Sequence, residues 1–168
     1  MLPVPERLQR LVDQVDGWLD LRCPERALEL LPPLLDDPEG RALGLELRVR
    51  ANARLGEYRA ALIDLDELRP AYHDQDWLDL TEAWCRRRAA DLPGAIACAA
   101  RLVARTHQSG LGWFNLACYH ALAGDATAAI DALSVACGLG AEFRDFAKDE
   151  PDFDSLRRDE RFRHLLRT

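Results

Sequence analysis

Cys118 and His120 are the residues that stand closest in the chain to a nucleophile and its base. Two positions apart on a helix they do not share a face, because helical neighbours are three and four residues apart. A thiolate–imidazole pair is therefore not expected there, and both read as core residues. His73, His107 and His164 fall in separate regions without metal-ligand spacing. The acidic pairs Asp13/Asp16 and Asp64/Glu67 are at helical spacing and read as solvated faces. No phosphate loop or dinucleotide fingerprint is present. No enzyme chemistry, no metal and no cofactor is expected. What remains is recognition chemistry: Trp84 followed by Arg86-Arg87-Arg88. Arginine forks suit carboxylates, and aromatics with arginine dominate binding hot spots. The same run would also be favourable at the negative end of a helix dipole.

The totals bound the setting. The chain has 168 residues, a one-domain length, with 48% hydrophobic and 30% charged residues, enough to bury a core and stay soluble. A net charge of -7 argues against a nucleic-acid partner, which needs a positive surface. Lys148 is the sole lysine and the other cations are arginines, the composition of a high-GC bacterial genome. The five cysteines (Cys23, Cys85, Cys98, Cys118, Cys137) are an odd set without a Cys-x-x-Cys pair. They read as reduced, buried small hydrophobes of a cytoplasmic protein. The N-terminal stretch has no signal-peptide pattern, and no run is long enough for a membrane span.

The elements that would position these residues are helices. Residues 5–20 carry Leu8, Leu11, Val12, Val15, Trp18 and Leu19 at helical spacing. Pro24 opens a second helix, which Pro32-Pro33 ends or kinks. Within residues 41–55, Leu43, Leu45, Leu47, Val49, Ala51, Ala53 and Leu55 recur at every second position, the strand template, but leucine and alanine favour a helix. Tyr58 to Arg69 is the next helix, closed by Pro70. Residues 74–89 follow, then a helix capped by Asp91 with Pro93 in its first turn. Leu111–Ala123 and Ala126–Cys137 flank a tight turn at Gly124-Asp125. Beyond Gly140 the phenylalanines 143, 146, 153 and 162 continue as one or two short helices.

Self-similarity organises these helices. Ala27, Ala61, Ala95 and Ala129 stand in strict register, each followed by Leu or Ile. Such a period marks a stacked-repeat protein, in which helix pairs bury their apolar faces only by stacking. The alanines sit where two helices of a hairpin cross, Ala95 against Ala83 and Ala129 against Ala117. The pattern resembles the tetratricopeptide repeat (TPR). In the fourth unit Trp113, Leu116, Ala117, Gly124, Ala129, Leu133 and Ala136 carry the resemblance, with Ala141 in place of the closing proline. The third keeps Ala83, Asp91, Ala95, Ala99 and Leu102, with Asp79 where the family has Trp. The second keeps Val49, Gly56, Tyr58, Ala61, Leu65 and Leu68, and the first keeps little beyond Val15, Ala27, Leu31 and Leu34.

The resemblance implies an all-α chain: a right-handed α-solenoid of three to four TPR helix pairs with a C-terminal helical cap. A single TPR domain over 1–168 is expected, with a divergent repeat at 5–38, repeats at 41–73, 74–107 and 110–140, and a capping tail at 141–168. It also implies a concave groove lined by the first helices, of the kind that holds an extended peptide or a partner helix. By register its residues are Arg50, Arg54, Trp77, Thr81, Trp84, Arg87, Arg88, Phe114 and Asn115, with Leu80, Leu111 and Cys118 beside them. Some family members use an asparagine at the Asn115 position to hold peptide backbone or a terminal carboxylate, but the lysines that complete that clamp are missing here. The expected function is protein–protein interaction, as scaffold or adaptor for a protein or peptide partner, an acidic one among the options. The alternative is a self-associating scaffold that forms homo-oligomers through exposed aromatics.

Overall fold

The structure is a computed structural model that describes residues 5–72 and 76–167. His73 and the expected repeat boundary between residues 73 and 74 lie outside them. Helices run over Glu6–Asp20 (α1), Pro24–Leu30 (α2), Pro32–Leu35 (α3), Arg41–Leu55 (α4), Tyr58–Tyr72 (α5), Asp76–Arg88 (α6), Leu92–Arg105 (α7), Gly110–Leu122 (α8) and Ala126–Leu139 (α9). The tail adds Glu142–Asp149 (α10), a 3-10 helix over Pro151–Leu156, and Glu160–Leu165 (α11). No strand occurs among the described residues. The chain divides after Leu78 into two compact units.

The turn between paired helices repeats at the level of the backbone. Among the described residues four have positive φ: Arg22 (58°), Gly56 (80°), Ala90 (64°) and Gly124 (81°). They share one register. At each, the following amide donates to a carbonyl five residues back: Cys23 to Trp18 (2.9 Å), Glu57 to Asn52 (2.9 Å), Asp91 to Arg86 (2.8 Å) and Asp125 to His120 (2.9 Å). This is a left-handed helix ending, which satisfies carbonyls that the last turn would orphan. Asp91 and Asp125 then cap the next helix, accepting from the amides of Gly94 (3.0 Å) and Ala128 (3.0 Å). Glycine fits the left-handed position and other L-residues are strained there by about 1–2 kcal/mol, against which a glycine loses more chain entropy. Ala90→Gly is therefore expected to stabilise by about 0.5–1 kcal/mol. A rise in the urea midpoint at constant slope would report it; an unchanged or lower midpoint would contradict the strain.

The first unit is built on α1, whose Leu8, Val12, Val15 and Leu19 meet Ala27, Leu31 and Leu34 in one core. The alternating stretch is the helix α4. Leu43, Leu47 and Ala51, four apart, join that core, while Leu45 and Val49 are buried on another flank. The reason is its surroundings: α4 packs on α5, α2, α3 and α1, so it buries two stripes rather than one. Pro70 does not close α5, which runs to Tyr72. A proline removes one amide donor, and so near a helix end the chain can carry on through it. Asp64 is not on a solvated face either. It is buried, and Arg48 of α4 donates to both its oxygens (2.6 and 2.8 Å).

The second unit packs α8 against α7 and α9, with the tail closing the core. The register alanines Ala27, Ala61, Ala95 and Ala129 all have 0% exposure, and Ala83 and Ala117 are buried in the same core as Ala95 and Ala129. Ala129→Leu is expected to overpack it by about 1–3 kcal/mol, read from chemical denaturation. Four of the cysteines are buried and all five are free. Cys23 departs from expectation: it is half-buried, because it stands in the turn before α2.

Candidate functional site

A pocket of about 250 Å3 opens in the second unit. It is lined by Trp84, Arg87 and Arg88 of α6, Phe114, Asn115, Cys118 and Tyr119 of α8, and Glu150 and Asp152 of the tail. Trp84 and Arg88 sit at the C-terminal end of α6, four residues apart and so on one face. The Arg88 guanidinium lies over the Trp84 ring, 5.5 Å from its centroid. Trp84 remains 37% exposed, so it is not a core residue. Trp84→Ala is accordingly expected to lower stability by less than about 1 kcal/mol, measured by urea denaturation. A loss near the 3–5 kcal/mol of a truncated core aromatic would remove Trp84 from the surface.

Each arginine of the basic run has its own role. Arg86 donates to Glu82 (2.8 Å) and Asp91 (2.7 Å), and with the Gly94 amide it holds the Asp91 carboxyl below the usual range. It belongs to the turn and not to the pocket. Arg87 forms an ion pair with Asp152, across 65 residues of sequence. Its Nε is buried and has no acceptor among the described residues. Asn115 is half-buried, and its side-chain amide has no hydrogen-bond partner among the described residues. Phe114 lines the pocket and packs against rings of the tail: Phe143 at 5.6 Å, Phe146 at 6.2 Å and Phe153 at 5.7 Å between centroids.

The structure thus brings together five of the nine residues expected to bind: Trp84, Arg87, Arg88, Phe114 and Asn115. Thr81 is half-buried on α6 and does not line the pocket. The other three lie in the first unit. Arg50 is held by Asp16, Arg54 donates to the Leu19 carbonyl, and Trp77 packs edge-on against Tyr72 (5.5 Å). Sequence reasoning missed Tyr119, Glu150 and Asp152. The segment Glu150-Pro151-Asp152 reads as a loop of a cap, and nothing local tells that its carboxylates meet α6. A signal was present, since Glu150 before a proline is a capping position; its side chain accepts from the Asp152 amide (3.2 Å).

Cys118 is not a reactive thiol in this setting. Burial pushes it well above the ordinary thiol range, and pushes Cys85 and Cys98 up to about 11. A thiol is nucleophilic only as thiolate, so these groups are poor nucleophiles at neutral pH. Among the described residues no group of His, Cys, Asp and Glu is placed to hold a metal ion, and no helix is long and apolar enough to cross a membrane.

No family model and no curated protein matches the sequence. Solved structures do match in fold. The name MamA recurs: MamA 41-end from Desulfovibrio magneticus RS-1 shares 16% identity at a TM-score of 0.73, covering 98% of this chain and 96% of that one. A crystal structure of MamA aligns at TM-score 0.75 with 11% identity, over 91% of this chain and 90% of that one. YrrB, described as a TPR protein with an unusual peptide-binding site, aligns at TM-score 0.70 with 13% identity, over 92% and 80% of the two chains. The chain has the tetratricopeptide-repeat fold. At these identities the likeness concerns the TPR fold and not the site residues. It accounts for the period of the buried alanines and for the four left-handed turns, which are what a TPR fold needs repeated.

Proposed function

We propose that this TPR protein is a non-enzymatic interaction scaffold that binds an extended peptide segment in the Trp84 pocket. The observation that carries the reading is the Asn115 amide, without a hydrogen-bond partner among the described residues, in one pocket with the exposed Trp84 ring. An amide offers both donors and an acceptor, the complement of peptide backbone, and an aromatic face supplies the apolar anchor. The name of YrrB supports peptide binding on this fold. An acidic preference is supported by the Arg87 and Arg88 guanidiniums that line the pocket. Free cysteines support a reducing, cytoplasmic setting, and the near-absence of lysine a bacterial one.

The test is selection of displayed random peptides on the immobilised full chain, repeated with Trp84→Ala and Asn115→Ala. Peptides enriched by wild type and lost by both folded variants would support the pocket. Peptides kept by both variants would move the site elsewhere. Self-association is the second reading, favoured by Phe146, which is 54% exposed in the tail. Light scattering behind size exclusion tests it: a dimer that Phe146→Glu converts to monomer would place assembly on the tail.

A further inference from the structure

We propose that the turn after α1, in the first unit, is a binding site for a carboxylate or phosphate group, held by Arg22 and Arg54. This inference is independent of the Trp84 pocket. Two observations meet here. A cavity of about 490 Å3 is lined by Asp20, Arg22, Pro24 and Arg54. And Arg22, at φ 58°, occupies the left-handed position that Gly56, Ala90 and Gly124 fill in the same register. Strain at a long charged residue, where glycine fits better, points to a use for the side chain.

The surroundings specify the ligand. Arg22 is exposed, and no described residue forms an ion pair or side-chain hydrogen bond with it. Arg54 donates one guanidinium nitrogen to the Leu19 carbonyl, which fixes it at the end of α1 while leaving a planar fork with further donors. One turn earlier on both helices, Arg50 is neutralised by Asp16. The corresponding pair of Arg54 with Asp20 is not made, although both line the cavity. Two guanidiniums against one carboxylate leave a net positive pocket in a chain of charge -7. Guanidinium forks match the two oxygens of a carboxylate or phosphate. The site takes such a group either on a free small anion or on an acidic peptide.

Arg22→Gly tests this because it removes the ligand-holding side chain while relieving the backbone. Guanidinium Nε–H signals of the full chain are followed by NMR during titration with sodium phosphate, sodium acetate and an acetylated tri-glutamate peptide. Saturable shifts at Arg22 and Arg54, weakened about tenfold or more in Arg22→Gly and weakened by added salt, are expected. Tighter saturation by the peptide would assign the anion to a polypeptide, and equal saturation by all three to a small free anion; either supports the site. Linear, unsaturated shifts for all three probes would overturn it. So would saturation that Arg22→Gly leaves unchanged.

Discussion

Phe153→Ala will lower the stability of the second unit by about 3–5 kcal/mol, the loss typical of a buried aromatic truncated in a packed core. Phe153 has 0% exposure and sits between Phe114 (5.7 Å) and Phe162 (5.5 Å). With Leu156 and Phe162 it closes the core over α8. The tail is therefore integral to the unit that carries the pocket, not a strap laid over it. The measurement is urea denaturation in a Trp18→Phe/Trp77→Phe background, where Trp84 and Trp113 report the second unit. Loss below about 1 kcal/mol, in the range of surface substitutions, would show that the tail detaches. The pocket follows the same logic. Asp152 is adjacent to Phe153, so the ion pair with Arg87 depends on that ring being seated.

The second large effect concerns Asp79. It is fully buried, and accepts from Arg101 (2.8 and 3.1 Å) and from Arg105 (2.6 Å) of α7. Arg101 also donates to the buried Glu82 (3.0 Å). Arg101→Met/Arg105→Met strips a buried carboxylate of both guanidiniums and is expected to cost about 3–5 kcal/mol. Asp79→Leu should cost much less, under about 1.5 kcal/mol, because the arginines are partly exposed and can return to water. Denaturation of both variants checks the asymmetry. Equal losses would mean that Asp79 contributes through packing alone. Asp79 stands where the TPR pattern has tryptophan, so this repeat exchanges an aromatic for an ion network at one position.

The helices, their capping residues and the stacking alanines were legible in the sequence because each rests on local physics. Asp91 and Asp125 cap because a carboxylate three residues before an unpaired first-turn amide can accept from it. Ala95 and Ala129 are small because a crossing leaves no room. Even the ambiguous 41–55 stretch was decided by leucine and alanine favouring helix. What the sequence did not determine depends on contacts between distant residues. Arg48 with Asp64 and Arg101 with Asp79 turned carboxylates that read as solvated or odd into buried partners. Arg87 found Asp152 across 65 residues, which is what joins the tail to the pocket. Helical spacing alone does not tell which charge faces a neighbour and which faces water. That is settled by tertiary packing, since a charge is stable in the interior only where an opposite one is brought to it.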